Sequence, residues 1–453
     1  MRILIAGSGK VGQTLAKQLS AEAHDVTLID SDPKVLASGV ERFDVLAVQG
    51  NCASMETLKQ ADVDDADLLI ATTGSDELNL LCCLTAHRMN KKLHTIARIR
   101  NPEYTEQAVT MADAFGLSLC FNPERQTAVE INRLLHYPGF LKRDSFARGH
   151  VEIVELKIDG ASKLAGVPLS QMYGIVKCRV LVCTVLRDGR AIMPDGNFVL
   201  AAGDRIFVTA PTEILSQLLK NLGILAHRAK EVMLIGGGTV CYYLADLLLR
   251  RHLNVKIVES DLAQCERLAA LLPQASVIHG DATNHSLLSG EGLAQCDAVV
   301  TLTGLDEMNI IASLYAEKCG VPQIITKLAK LEETAIVDSL SIGSVVCPRK
   351  LCCSTVLRYV RAMQNQTGAA VSVHPIADGQ VEALEFRVDK TTKNVGEPLK
   401  SIKLRPNLLL VSITRHGRTE IPNGDSYFEP GDSIVVVAAS GEDVILQLND
   451  IFA

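Results

Sequence analysis

The chain contains its own plan twice. At an offset of 229 or 230 residues, Gly7 returns as Gly236, Asp30 as Glu259, and Gly50 as Gly280. The run Thr73-Gly74-x-Asp76-Glu77-x-Asn79 likewise returns as Thr303-Gly304-x-Asp306-Glu307-x-Asn309. The match continues from Gly166-Val167-Pro168-Leu169 to Gly396-Glu397-Pro398-Leu399, and from Gly203-Asp204 to Gly431-Asp432. Whatever the first copy folds into, the second must fold into again, so the repeat decides the architecture before any single element is assigned.

Each copy has two textures. Residues 1 to about 136 alternate apolar strand candidates with amphipathic stretches. The strand candidates are Ile3 to Ala6, Asp25 to Ile29, Val45 to Val48, Leu68 to Ala71 and Thr95 to Arg98, and Val11, Leu15, Ala16 and Leu19 line one helical face. Such alternation predicts a parallel sheet covered on both sides. From about 150 to 225 the runs become short and β-rich, as in Val151 to Ile158, Val180 to Leu186 and Arg205 to Ala210. Arg187-Asp188-Gly189-Arg190 reads as a hairpin turn. The fold class expected is α/β, with two Rossmann-like doubly wound parallel-sheet domains, each followed by a small α+β ligand module. The expected boundaries are 1–136, 137–225, 226–365 and 366–453, with His136-Tyr137-Pro138-Gly139 as the exit from the first lobe and Ala226 to Lys230 as the link between halves. A chain of 453 residues fits three or four domains at roughly 150 residues each.

The chemistry is concentrated behind the first strand. Gly7-x-Gly9-x-x-Gly12 follows it directly and opens a helix. Gly7 permits the tight turn, Gly9 lets a pyrophosphate approach the backbone, and Gly12 lets the helix lie close to the strand. The first helical residues, Lys10 and Val11, belong to the free N–H end that attracts phosphate. Asp30 ends the second strand, where a carboxylate accepts bonds from both ribose hydroxyls of an adenosine and repels a 2′-phosphate. It can equally begin a turn with Ser31-Asp32-Pro33 that caps the next helix. Thr72, Thr73 and Gly74 follow the fourth strand, beside the first across the expected crevice, where small polar residues can face phosphate or ribose. Asp76 and Glu77 fit the first turn of a helix, whose dipole favours them. Arg98 is the one cation at a strand end that can meet a pyrophosphate, an exposed surface arginine being the competing reading.

Composition excludes several classes. A net charge of -7 argues against nucleic acid as a partner, because phosphate-backbone binding needs concentrated Lys and Arg. Apolar runs are far shorter than the ~20 residues that span a bilayer, and the N-terminus enters a strand at once, so a cytosolic chain is expected. The 13 cysteines include Cys82-Cys83 and Cys352-Cys353 but no C-x-x-C, which favours buried reduced thiols over zinc or a redox dithiol.

The order of Gly7/Gly9/Gly12, Asp30, Gly50-Asn51, Thr72-Thr73-Gly74-x-Asp76-Glu77-x-Asn79 and Ile96-Ala97-Arg98-x-Arg100-Asn101-Pro102 resembles the domain that regulates potassium conductance, also called the potassium-transport, nucleotide-binding domain. The β-rich stretch with Gly166-Val167-Pro168-Leu169, Pro194-Asp195-Gly196 and Gly203-Asp204 resembles that family's C-terminal ligand module. Two tandem units together are similar to the cytosolic regulatory subunits of bacterial Trk potassium uptake systems. The resemblance implies a nucleotide-sensing gating ring, a homotetramer of eight domains docked on a TrkH-type membrane subunit, peripherally attached to the inner face of the plasma membrane. It carries nucleotide contacts onto Gly7, Gly9, Gly12, Asp30, Thr73 and Arg98, and places Gly50-Asn51, followed by Cys52, where the family commonly has Gly-Asp after the third strand.

In the second copy Gly236 and Gly238 stand for Gly7 and Gly9, ahead of Thr239 and Val240, while Cys241 replaces Gly12. Glu259 replaces Asp30, Asp281 and Ala282 replace Asn51 and Cys52, Thr303 matches Thr73, and Lys327 replaces Arg98. The expectation is NAD(H) in the first crevice and ATP/ADP or NAD(H) in the second, with the second helix held slightly farther from its strand. Regulation is expected rather than catalysis. A stand-alone NAD(H)/nucleotide sensor is the first alternative, and an NAD-dependent oxidoreductase the second, because no acid or base motif accompanies the scattered histidines.

Overall fold

A computed structural model describes residues 1–40, 42–136, 140–223, 229–329, 340, 342–363, 370–439, 445 and 447–453. Positions 137–139 of the expected lobe exit and 226–228 of the expected link lie outside the described residues. The chain forms two compact units, Met1–Val129 with Cys347–Val360, and Glu130–Val346 with Arg361–Ala453.

The first unit is built on β1 (Arg2–Ala6), β2 (Asp25–Asp30), β3 (Leu46–Gln49), β4 (Leu68–Ala71), β5 (His94–Arg98) and β6 (Leu119–Phe121), paired in parallel in the order β3-β2-β1-β4-β5-β6. Ile3 to Ala6 and Leu68 to Ala71 are buried throughout, as strands covered on both faces require. The first crossover helix, Lys10–Ala21, buries Gly12, Leu15, Ala16 and Leu19 on the face that its spacing predicts. Strand order reverses between β1 and β4, and that reversal opens the crevice at their carboxyl ends. Most of one helix in this unit comes from far along the chain. Pro348–Met363 buries Cys352, Val356 and Val360, and Tyr359 Oη lies 2.9 Å from His94 Nδ1.

In the second unit β7 (Lys142–Phe146), β8 (Val151–Lys157), β9 (Leu181–Arg187), β10 (Arg190–Ile192) and β11 (Arg205–Pro211) form an antiparallel sheet ordered β10-β9-β11-β8-β7. The β9–β10 hairpin turns through Asp188 (φ 51°) and Gly189 (φ 73°), the positive-φ pair that matches strand twist. A second parallel sheet, with β12 (Glu231–Ile235), β13 (Asn254–Glu259), β14 (Ser276–His279), β15 (Ala298–Thr301), β16 (Gln323–Lys327) and β17 (Ser344–Val346), repeats the first in the order β14-β13-β12-β15-β16-β17. A second antiparallel sheet, of β18 (Ala370–Ile376), β19 (Val381–Arg387), β20 (Leu408–Arg415), β21 (Arg418–Glu420) and β22 (Ser433–Ala439), repeats the other. The expected fold class is therefore the observed one. The end of helix Pro123–His136 is held in this unit, its Leu134 carbonyl accepting from Gln323 Nε2 at 2.8 Å.

Among the described residues no helix is long and apolar enough to cross a membrane. No cluster of three or more His, Cys, Asp or Glu among them is placed to hold a metal ion. The cysteines are free thiols, eleven of them buried, so they pack as small apolar residues.

Candidate nucleotide crevices

Each crevice begins where a parallel strand ends in a glycine turn. Gly7 has φ +96°, and a Cβ there would lie 2.8 Å from Thr73 N; Gly236 has φ +101°, and its Cβ would lie 2.8 Å from Thr303 N. Both positions combine a left-handed backbone with a close approach to the opposite loop, which leaves room for glycine alone. Gly9 and Gly238 differ in kind. Their backbones are extended, with φ/ψ of -71°/-172° and -70°/-174°, and a Cβ at either would meet nothing within 4 Å. The space over them is the cradle, and each sits at the N-cap of a helix with no side chain capping it. The first N–H groups of those helices, from Lys10 and Val11 and from Thr239 and Val240, have no intrahelical carbonyl to bond. This arrangement suits an anion.

Asp30 and Glu259 brace the turns. Asp30 Oδ2 accepts the Ser8 N–H at 2.6 Å and its Oδ1 accepts that of Asp32 at 3.0 Å. Glu259 Oε2 accepts the Gly237 N–H at 2.6 Å and its Oε1 that of Asp261 at 2.8 Å. Burial alone would raise the Glu259 pKa, but these backbone donors outweigh it and hold the carboxyl below its ordinary value. The helix after β2 is capped by Asp32, which accepts the Lys34 N–H at 2.9 Å. Asp30 itself thus belongs to the glycine loop, and the cap belongs to its neighbour.

The loop after β4 is self-bonded, which refines the expectation that its hydroxyls face a ligand. Thr72 Oγ1 donates to the carbonyl of Gly7 at 3.0 Å, and Thr73 Oγ1 to Asn79 Oδ1 at 2.7 Å. Asn79, fully buried, also accepts the Thr73 N–H at 2.8 Å and donates to the Arg98 carbonyl at 2.9 Å. Asn309 repeats the set with Thr303 and Lys327. These threonines therefore shape the rim through their hydroxyls, while Gly74 leaves it open, since a Cβ there would meet nothing within 4 Å. Asp76 is more than a first-turn helix acid. It is buried, and its Oδ2 accepts the N–H groups of both Arg100 and Asn101 at 2.8 Å, tying the end of β5 to the crevice.

Arg98 is half-buried rather than an exposed surface residue, with Nη2 donating to the Thr73 carbonyl. Burial and the neighbouring Arg100 lower its pKa. Its Nε and the hydroxyl of Ser8, both buried, have no hydrogen-bond partner among the described residues. Lys327 Nζ takes the corresponding place by donating to the Leu302 carbonyl at 3.0 Å. Asn51 and Asp281 make the same turn, accepting the N–H of Ala53 at 3.0 Å and of Thr283 at 2.8 Å. The first crevice thus retains the turn without the charge.

Cys52 is buried next to Cys82, whose thiol donates to it and holds its pKa below the ordinary value. Sequence reasoning missed this contact, and at the matching second-copy positions stand Ala282 and Ala312. At Gly12 a Cβ would stand 2.0 Å from the Gly7 carbonyl oxygen, so the first helix packs too closely to admit any side chain. Cys241, fully buried at the same place in the second copy, means that its helix packs differently.

Two family models match this chain, each twice. The TrkA-N domain covers residues 3–115 and 232–348, and the TrkA-C domain covers 153–223 and 383–451. A Trk system potassium uptake protein TrkA homolog of Archaeoglobus fulgidus is 32% identical over 452 residues, spanning 100% of both chains. The Trk system potassium uptake protein TrkA of Haemophilus influenzae is 30% identical over 452 residues, spanning 98% of this chain and 97% of that one. Among solved structures, the GsuK channel bound to NAD aligns at a TM-score of 0.61 with 17% identity, over 97% of this chain and 77% of that one. The GsuK RCK domain aligns at 0.62 with 18% identity, over 97% and 92%. These two likenesses are of fold.

Proposed function

The chain belongs to the TrkA family of Trk system potassium uptake proteins, and from that membership we propose that it is a nucleotide-sensing regulatory subunit controlling potassium uptake through a TrkH-type membrane partner. The observation that carries the nucleotide part is the pair of uncapped helix N-termini behind open glycines, each braced by a strand-end carboxylate. The subunit acts as a homotetramer whose eight nucleotide-binding domains form a cytosolic gating ring, attached peripherally to the inner face of the membrane. The working division of each chain is 1–136, 137–225, 226–365 and 366–453.

The first crevice is the NAD(H) site, held by Gly7, Gly9, Lys10, Val11, Gly12, Asp30, Asn51, Cys52, Thr72, Thr73, Gly74 and Arg98. The unpartnered Ser8 hydroxyl and Arg98 Nε are donors available to such a ligand. The second crevice takes ATP/ADP or NAD(H) through Gly236, Gly238, Thr239, Val240, Glu259, Asp281, Ala282 and Thr303. Its lysine supplies a point charge where the first has a planar fork, which supports unequal affinities. The nucleotide acts here as a signal, without turnover. Ligands that bind two ring shapes with unequal affinity shift the balance between them, and a ligand indifferent to shape shifts nothing.

Calorimetry with NADH, NAD, ATP and ADP on the native protein and on Asp30→Ala tests the site. A tenfold or greater loss is expected, and unchanged affinity removes the assignment. Potassium uptake by cells lacking the chain, and co-purification with a membrane potassium transporter, test the function. Sustained NADH turnover with a small substrate would favour the oxidoreductase instead.

A further inference from the structure

The two antiparallel sheets meet through one buried apolar cluster. Phe146, Val151 and Phe207 of the first module lie in it with their duplicates Ile376, Val381 and Val435 of the second. When two copies of one plan pair in this way, the contact is pseudo-symmetric, and a residue on its axis meets its own counterpart. Asp144 and His374 are such counterparts, 230 residues apart, and Asp144 Oδ1 lies 3.0 Å from His374 Nδ1. The two copies have diverged at this position into a carboxylate and an imidazole. Off the axis, Arg205 bonds Glu155 of its own module at 2.5 Å and reaches across to both oxygens of Asp378, at 3.2 and 3.1 Å. The duplicate of Arg205 is Ser433, and the residue at the place of Asp378 in the first copy is Arg148.

We infer that Asp144–His374 and Arg205–Asp378 are specificity determinants that make a first module pair with a second module and reject a copy of itself. The apolar cluster carries no charge that could match or clash, its duplicated positions being apolar in both modules though unequal in size, as in Phe207 with Val435 and Ile153 with Ala383. The polar pairs do. A first–first pairing sets Asp144 against Asp144 and offers Arg205 no aspartate, because the sequence has arginine where the second module has Asp378. A second–second pairing sets His374 against His374 and Ser433 against Asp378, with neither polar pair formed. Like charges brought together at the largely buried Asp144 position are disfavoured, more than at the partly exposed place of the Arg205–Asp378 pair, and specificity follows from that penalty as much as from the matched pair.

Lys142 supplies the readout. Its Nζ lies beside the axis, 2.8 Å from the Pro375 carbonyl of the second module, and the second module has Ser372 at the matching place. A Lys142–Lys142 cross-link therefore reports first–first pairing alone. Full-length ¹⁴N and ¹⁵N protein are refolded together and treated with a short amine-reactive cross-linker, and mixed-isotope Lys142–Lys142 peptides are counted. Background levels are expected for the native chain, several-fold more for Asp144→His and for His374→Asp, and a return to background for the exchange variant Asp144→His/His374→Asp. Melting temperatures of the same unmixed proteins should fall in each single variant and recover in the exchange variant. An exchange variant that refolds where Asp144→His does not gives the same support. Single variants that stay at background overturn the inference, as does an exchange variant whose melting temperature falls by the sum of the two singles.

Discussion

At the residue scale, neighbouring glycines of one motif serve opposite ends. Gly7 is a folding residue. A methyl group there meets Thr73 N at 2.8 Å from a backbone at φ +96°, so Gly7→Ala is expected to destabilise the first unit by about 1–3 kcal/mol. Gly9 is a ligand residue. Its backbone is one that alanine adopts freely, and the added methyl points into open space, so Gly9→Ala should leave the melting temperature nearly unchanged while abolishing detectable nucleotide binding by calorimetry. If both variants melt alike, the division of labour is wrong. The glycine spacing was legible in the sequence because three positions with separate steric demands follow one strand. What could not be read was the second role of Asp76, whose helix-start position concealed the two loop N–H groups that it accepts.

At the element scale, the rim of each crevice depends on one buried amide. Asn79→Ala removes the acceptor of the Thr73 N–H and hydroxyl and the donor to the Arg98 carbonyl, leaving buried groups unpaired. A loss of about 2–3 kcal/mol in denaturant unfolding of the first unit is expected, with weaker nucleotide binding as a consequence. Pairing of the antiparallel modules carries a pH signature. Burial pushes the Asp144 carboxyl up, but Lys142 and His374 outweigh it and bring its pKa down to about 2. A carboxyl depressed in the folded state contributes stability above its unfolded pKa and loses it as pH falls toward the folded value. The contribution, roughly 2 kcal/mol at ~1.4 kcal/mol per unit, is therefore present above about pH 4 and fades between 4 and 2. Acid titration of unfolding should show this loss in the native protein and not in Asp144→Asn. The central strands, Arg2–Ala6 and Leu68–Ala71, and their neighbourhood were legible because doubly buried strands read as unbroken apolar runs, whereas the short Leu119–Phe121 and the mixed Lys142–Phe146 were not. The pairing of modules was not, since nothing in a strand's own alternation names the face that will cover it.

At the scale of the whole molecule, the duplication is close in backbone and unequal in chemistry. Both glycine turns superpose in dihedral angle to within a few degrees, yet one crevice carries guanidinium, asparagine and cysteine where the other carries ammonium, aspartate and alanine. Calorimetry on Asp30→Ala and Glu259→Ala should accordingly reveal two nucleotide affinities that fall separately, and a joint loss in either variant would mean one shared site. The helix Pro348–Met363 bears on something else entirely, the order in which the protein is made. Its stretch Cys347–Val360 is a piece of the first compact unit, whose other residues end at Val129. On a ribosome that piece emerges on the order of 200 residues later, ~10–40 s at ~5–20 residues per second. For that interval the amino-terminal unit stands without a helical stretch that belongs to it, and it reaches its full composition only when most of the chain has been synthesised.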